Sequence, residues 1–317
     1  MVTLSKTHEK DALEMRKVYC QSLMELAKEN KDIVVLDADL SSSLGMNDFF
    51  KSFPDRAYNV GVAEANLAGV AAGLSAAGKI PYAHSFAPFA TRRCYDQIFV
   101  SCAYAQLNVR IIGSDPGVTA AFNGGTHMPF EDVGIMRNIP DMTILVPTDA
   151  AMLKDLLAQT SKLNGMFYIR LLRKNGVKFY EDGSQFEIGK GVILREGKDA
   201  TIVACGIMVA EAMKAAELLE EKGISVRVVD MFTIKPIDKD LIIDSAKQTG
   251  MIFTAENHNI INGLGSAVAE VLAENHPCRM KRIGVKDKFG QVGSLDYLKE
   301  VYELRAEDIV KTVLENL

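Results

Sequence analysis

The stretch Tyr58-Asn59-Val60-Gly61-Val62-Ala63-Glu64-Ala65-Asn66-Leu67-Ala68-Gly69-Val70-Ala71-Ala72-Gly73-Leu74 decides how the chain folds. From Ala65 onward it is apolar and dotted with Gly and Ala, as in a helix that packs closely against a neighbour. Tyr58 to Val60 reads as a strand entering that helix, the βα step of a parallel sheet. One carboxylate, Glu64, stands at the helix start. A charge there must be paired, solvated or protonated, because burying it bare costs several kcal/mol. Taken alone, Glu64 serves equally well as a first-turn glutamate offsetting the helix dipole or as a functional acid.

On either side the same alternation continues. Lys10 to Glu29 carries apolar positions at helical spacing (Leu13, Val18, Leu23, Leu26), and Ile33-Val34-Val35-Leu36 is a short buried strand. The loop Asp37 to Gly45 lies at that strand's carboxyl end, where open α/β sheets place ligands. Strands are expected at Lys79 to Ala83, Val109 to Gly113, Thr143 to Val146 and up to Arg173, with helices over Thr91 to Ala105 and from Ala150. The pattern lapses in the polar stretch Lys178 to Ser184, which sets a domain boundary there, with domains 1–184 and 185–317. A second series follows, with strands at Thr201 to Ala204, Val226 to Asp230 and Gly250 to Thr254. Its helices are expected at Val209 to Lys222, Asp238 to Lys247, Gly263 to Glu274 and Ala306 to Leu317. The fold class is α/β, two domains, each a largely parallel sheet with helices on both faces.

The 317 residues suffice for two cores, and 48% hydrophobic with 24% charged residues is an ordinary globular mix. A net charge of −5 gives no reason to expect nucleic acid or an anionic membrane as partner. No apolar run reaches the ~20 residues of a membrane span, and Met1 to Lys6 lacks the apolar core of a signal peptide. Five scattered cysteines without a C-x-x-C pair give no zinc site and suit a reducing, cytoplasmic setting. The usual mononucleotide, dinucleotide and hydrolase glycine signatures are all missing.

Three stretches carry chemistry. In His84 to Ile98, Phe86 and Phe89 flank a turn between a strand and a helix; such a pair serves either as core or as a ligand platform. The loop Gly113 to Pro129 is long and glycine-bearing, and holds His127 beside Gly124 and Gly125, which permit close backbone approach. The stretch Phe167 to Asn175 ends a strand with Arg173 and Lys174, either a solvated basic end or a reader of phosphate or carboxylate.

Gly-Val-Ala-Glu-Ala-Asn around Glu64, the Ser-Phe-x-x-Phe turn before Tyr-Asp-Gln, the Gly-Gly-Thr-His loop and Phe232-Thr233-Ile234-Lys235-Pro236-Ile237-Asp238 occur in an order that resembles the C-terminal half of transketolase, over nearly the whole chain. The resemblance implies a pyrimidine-binding domain for thiamine diphosphate followed by the family's C-terminal domain. The family's Gly-Asp-Gly…Asn motif for Mg²⁺ and the diphosphate is absent. The chain therefore resembles the second subunit of a split transketolase, needing an N-terminal partner subunit that carries the Mg²⁺ ligands, in a heterotetramer of two plus two.

By the same resemblance Glu64 hydrogen-bonds and protonates N1′ of the aminopyrimidine, Phe89 stacks on that ring, Phe86 completes the pocket and Asp39 lies near the cofactor. His127 contacts the sugar. Arg16, Ser43 and Arg173 match the family's readers of the substrate's anionic end. Two positions depart from the pattern: Asp115 stands where a histidine is usual, and Asn123 where many members carry an aspartate that reads a hydroxyl. A carboxylate beside a phosphate is repulsive unless paired, so a modified sugar or another anionic tail is implied. The reaction implied is transfer of a two-carbon ketol unit from a ketose to an aldose. The β subunit of a 2-oxo-acid dehydrogenase, a deoxyxylulose-phosphate synthase-like enzyme and a non-catalytic scaffold or regulatory homologue are the rival readings. Thr126 to Pro129 and the Phe-Thr-Ile-Lys-Pro run favour transketolase over the first. His258, in Glu256-Asn257-His258, is expected near an interface.

Overall fold

The apolar run Ile33 to Leu36 forms the centre of β1 (Ile33–Asp37), every residue of which is buried. A computed structural model describes all 317 residues. They form two compact units: Met1–Pro116 with Ile135–Phe186, and Gly117–Gly134 with Glu187–Leu317. The loop 117–134 thus clusters with the second unit although the strands on either side of it belong to the first.

In the first unit β2 (Ala57–Asn59), β3 (Ile80–Phe86), β4 (Arg110–Ser114), β5 (Thr143–Leu145) and β6 (Phe167–Leu171) join β1 in the order β5-β6-β4-β3-β1-β2, every neighbouring pair parallel. β1, β4 and β6 are buried along their whole length, as unbroken apolar strands covered on both faces must be. The register sets Asp37 beside His84 and Phe86 beside Ser114, so the carboxyl ends of β1, β3, β4 and β6 form one edge. Functional loops of open parallel sheets leave from that edge.

Two local expectations are revised. The first helix begins at Met15, not Lys10, and runs to Glu29. The preceding residues are spent on other bonds, with Lys10 bridging Val177 and the Asp11 carboxylate accepting the Ala150 N–H. The span Thr91 to Ala105 is not one helix. A turn over Ala87–Ala90 ends at Thr91, whose hydroxyl donates to the Ala87 carbonyl at 2.6 Å. A tight turn at Arg92–Cys94 then leads into a wide helix over Ile98–Tyr104. Wide turns of that kind re-aim side chains and recur at functional sites.

In the helix Glu64–Ala76, Leu67, Ala68, Ala71 and Ala72 face the core, while Ala65, Asn66, Gly69 and Gly73 lie exposed. The small residues thus divide: Ala68, Ala71 and Ala72 pack inward, and Ala65, Gly69 and Gly73 face outward from this chain.

The second unit builds a sheet in the order β12-β11-β8-β9-β7 from β7 (Val192–Arg195), β8 (Ala200–Ala204), β9 (Val226–Asp230), β11 (Met251–Asn259) and β12 (Arg279–Val285). β10 (Thr233–Lys235) follows β9 in the Phe232 to Asp238 run. β7 runs antiparallel to β9 and the remaining pairs are parallel. Helices Met208–Glu220, Lys239–Thr249, Leu264–Asn275, Leu295–Val301 and Ala306–Leu314 belong to the same unit. No helix of the chain is long and apolar enough to cross a membrane.

Candidate active site

Glu64 opens its helix directly after β2, and only 2% of its side chain is exposed. Its Oε2 accepts a hydrogen bond from Arg93 Nη1 at 2.9 Å, and Ser85 Oγ lies 3.4 Å from Oε1. Ser85 stands beside Phe86 at the end of β3. The rings of Phe86 and Phe89 meet edge to face with centroids 6.4 Å apart. The Arg93 guanidinium lies 3.9 Å above the Phe89 centroid. The break at Thr91 is what lets residue 93 fold back over residue 89. Glu64, Phe86 and Phe89 are thus brought together, and Arg93 and Ser85, which sequence reasoning missed, complete their surroundings. Burial pushes the neighbouring Cys94 thiol up to about 12, with the Glu64 charge adding to the effect, so that thiol stays protonated and inert.

The loop after β1 is tied down by Asp37, which is fully buried and accepts the backbone N–H groups of Leu40 and Ser41. His84 Nε2 lies 3.0 Å from the Asp37 carboxylate, and its Nδ1 lies 3.4 Å from the Tyr19 hydroxyl. Sequence reasoning missed this Tyr19–His84–Asp37 chain too; the only signal was polar residues set into otherwise apolar elements. It holds a loop in which Asp39 adopts a φ of 64°, a left-handed conformation that Asp tolerates better than most residues. Asp39 is exposed and exchanges hydrogen bonds with Asn59. Further along the loop the Ser43 carbonyl accepts Arg16 Nη1 at 2.8 Å, while Arg16 Nε donates to Glu14 at 2.7 Å.

Asp115 and Arg173 leave the adjacent strands β4 and β6 and meet at 3.0 Å. Arg173 also lies 5.7 Å from the Phe86 ring centroid. The Asp115 side chain is 2% exposed and its oxygens have no hydrogen-bonding donor, so the contact with Arg173 is one of charge more than of direction. Burial pushes the Asp115 carboxyl up to about 6, restrained by the charges of Arg173 and Arg16. The Arg16 N–H meets the Arg173 carbonyl at 3.4 Å, so Arg16, Ser43, Asp115 and Arg173 form one cluster at the sheet edge.

In the second unit, Asn123 is exposed and His127 half-buried, with Thr126 Oγ1 at 2.9 Å from His127 Nδ1. The loop that carries them is anchored by β11. Asn257 Oδ1 accepts the Val118 N–H at 2.9 Å, and His258 Nε2 faces the Gly134 N–H at 3.2 Å. A Cβ on Gly117 would collide with Asn257, and one on Gly125 with the Gly290 backbone, so both glycines are there for close approach. His258 is buried and engaged in this clamp.

Residues 11–177 match the domain family "Transketolase, pyrimidine binding domain", and residues 189–309 match "Transketolase, C-terminal domain". The chain belongs to the transketolase family. It is 51% identical over 301 residues to the 6-deoxy-6-sulfo-D-fructose transketolase subunit SqwH of Clostridium sp. (strain MSTE9), with 95% of this chain and 94% of that one covered. It is 37% identical to an apulose-4-phosphate transketolase subunit of Phocaeicola vulgatus, covering 95% and 96%. A solved structure titled "Split gene transketolase, inactive beta4 tetramer" superposes with a TM-score of 0.89 at 46% identity, over 96% of this chain and 98% of that one. This transketolase chain is accordingly a subunit of the split kind and acts with a partner subunit. The family uses thiamine diphosphate. The residues described above fit that cofactor's aminopyrimidine: an aromatic face beside a buried carboxylate matches a flat ring with a hydrogen-bonding nitrogen.

Proposed function

We propose that the chain supplies the aminopyrimidine side of a thiamine diphosphate site and the anion-reading end of a sugar site, and that its donor is a ketose carrying a sulfonate tail. Bound thiamine diphosphate supplies the electron sink for breaking the C2–C3 bond of the ketose. Glu64 holds a proton at ring atom N1′, Phe89 carries the ring, Phe86 closes the pocket beside it and Asp39 lies at its rim. His127 and Asn123 hydrogen-bond the sugar hydroxyls. Arg16, Ser43 and Arg173 bind the anionic tail, with Asp115 setting which tail is accepted. Mg²⁺ and the diphosphate fall to the partner subunit, in a two-plus-two assembly within the cytoplasm. The exposed Ala65, Gly69 and Gly73 face supports burial against another subunit.

The observation that carries the sulfonate reading is the buried Asp115 carboxylate at 3.0 Å from Arg173. A phosphate monoester brings about −1.5 to −2 charges at pH 7 to that carboxylate, whereas a sulfonate brings one and keeps three acceptor oxygens for the arginines. The repulsion saved at short range in a partly buried site is on the order of 1 kcal/mol or more. The 51%-identical relative is named for a 6-sulfo ketose, which agrees with this choice.

The test is steady-state kinetics of the assembled two-chain enzyme with 6-deoxy-6-sulfofructose and fructose 6-phosphate at pH 7.5. We expect kcat/KM to favour the sulfonate by about tenfold or more, roughly 1.4 kcal/mol. Asp115→Asn should narrow that ratio. Equal use of the two donors, or a preference for phosphate, overturns the sulfonate reading and leaves the ketol-transfer reading standing.

A further inference from the structure

The contacts that Arg93 makes are those an aminopyrimidine needs. Its guanidinium is planar, cationic and seated 3.9 Å above the Phe89 centroid, and one of its N–H groups donates to Glu64 at 2.9 Å. An aminopyrimidine bearing a proton on N1′ is also flat and positively charged, and one seated on that face of Phe89 would donate to Glu64 as Arg93 does. Two groups cannot share one face of Phe89 and one lone pair of Glu64. We infer that Arg93 is a resident stand-in for the cofactor ring, holding the pocket in the cofactor-free subunit and leaving it when thiamine diphosphate binds. The inference rests on the reading of Glu64 and Phe89 as the aminopyrimidine site.

Physical chemistry gives the stand-in a purpose. Glu64 is almost fully buried, and an unpaired charge there is costly, so an empty pocket without a cation leaves the subunit strained. Arg93 removes that strain while remaining replaceable, because 46% of its side chain is exposed. A guanidinium suits the task better than an ammonium because it stacks on aromatic faces and is more weakly hydrated. Cofactor affinity is then divided by the fraction of time the pocket stands open. A stand-in seated two-thirds to nine-tenths of the time weakens apparent binding by about three- to tenfold. Ser85, 3.4 Å from Glu64, is neutral and cannot replace the lost charge.

The experiment is calorimetric titration of thiamine diphosphate, at saturating Mg²⁺, into the assembled two-chain protein, with thermal melting of the cofactor-free assembly alongside. Arg93→Gln should bind the cofactor about three- to tenfold more tightly while the cofactor-free assembly melts several degrees lower. Arg93→Lys, which keeps charge but loses the planar stack, should fall between the two. Guanidinium chloride at low millimolar concentration should return the Arg93→Gln affinity toward the wild-type value. Unchanged or weaker cofactor binding in Arg93→Gln, with Glu64→Ala still abolishing binding, overturns the stand-in alone. Wild-type binding that survives both Glu64→Ala and Phe89→Ala overturns the reading of the pocket on which it rests.

Discussion

Two carboxylate–arginine pairs sit in the first unit, each arginine over one of the two phenylalanines that flank the turn after β3. Glu64 and Arg93 make a directed hydrogen bond of 2.9 Å, and Arg93 stacks on Phe89 with 46% of its side chain exposed. Asp115 and Arg173 approach to 3.0 Å without hydrogen-bond geometry, 5.7 Å from Phe86 and with Arg173 only 21% exposed. The first pair is a good bond to a partner that can leave, and the second a poorer bond between partners that cannot. A flat cation can therefore replace Arg93, whereas an anion can only add to Arg173 and must tolerate the carboxylate already beside it. The sequence offers an acid and an arginine in both places, and exposure together with hydrogen-bond geometry separates the two pairs.

Removing the acid from the exchangeable pair has the largest expected effect. Glu64→Gln keeps the shape of the side chain but cannot hand over a proton, and kcat should fall by about 10²- to 10⁴-fold. Size-exclusion chromatography should show the assembly intact. A loss smaller than tenfold would return Glu64 to the structural role its place in the first helical turn also allows.

Next comes the fixed pair. Arg173→Met removes a charged donor next to a buried carboxylate, so two penalties add: lost anion contact and an unpaired Asp115. A charge-assisted hydrogen bond contributes roughly 1.5 to 3 kcal/mol, so KM for the anionic donor should rise at least tenfold. KM for an uncharged ketose donor such as erythrulose should move little, and that split is what the measurement reads. A parallel loss with both donors would make Arg173 a support of the fold.

Much of this arrangement is legible in the residues. The apolar runs of β1 and β4 and the βα step into Glu64 announce a parallel sheet, whereas Phe86 and Phe89 in the following turn read equally as core, and only the family resemblance gives them a pocket. Arg93 is hidden because Thr91 to Ala105 reads as one continuous helix beginning after residue 89, and that pattern does not place residue 93 over the Phe89 ring. The structure replaces that helix by a turn over Ala87–Ala90, a tight turn at Arg92–Cys94 and a wide helix over Ile98–Tyr104. The antiparallel β7 is half-exposed throughout, and the first half of β12 is charged and exposed, so neither shows the run that marks a buried strand. The anchoring of the His127 loop by Asn257 and His258 joins residues more than a hundred positions apart, a distance at which local pattern carries no information. Local pattern is equally silent on what faces Asp115, because Arg173 reaches it from the neighbouring strand.

Acid should make the fixed pair behave more like the exchangeable one. Burial raises the Asp115 carboxyl from 3.8 to about 6, so the folded chain holds that proton more tightly than the unfolded chain. Its ionisation therefore costs stability progressively as pH rises from about 3.8 to 6, and the cost is absent below that window. Asp149, likewise raised by burial to about 6, loses stability in the same sense, so wild-type melts alone do not separate the two. Substrate binding does. Protonating Asp115 frees Arg173, so KM for a sulfonate donor, whose own charge is fixed, should fall several-fold between pH 7.5 and pH 5.5. The same profile in Asp115→Asn should be flat. A slope that persists in the variant assigns the titration to another group.

The smallest effect concerns the second neighbour of Glu64 and sharpens what holds the exchangeable pair. Ser85 Oγ is 3.4 Å from Glu64 Oε1, at the outer limit of a hydrogen bond, while Arg93 is at 2.9 Å and charged. A neutral bond of ordinary length contributes about 0.5 to 1.5 kcal/mol, and a long one less. Ser85→Ala should therefore change thiamine diphosphate affinity by less than about threefold in the assembled enzyme. It should also leave the Arg93→Gln effect intact when the two are combined, because partners that bind different oxygens of one carboxylate couple weakly if only one of them carries the charge. Strong coupling in that double-mutant cycle would mean that Ser85 steers the carboxylate toward Arg93. The pocket would then be set by the strand end and not by the cation that stacks on Phe89.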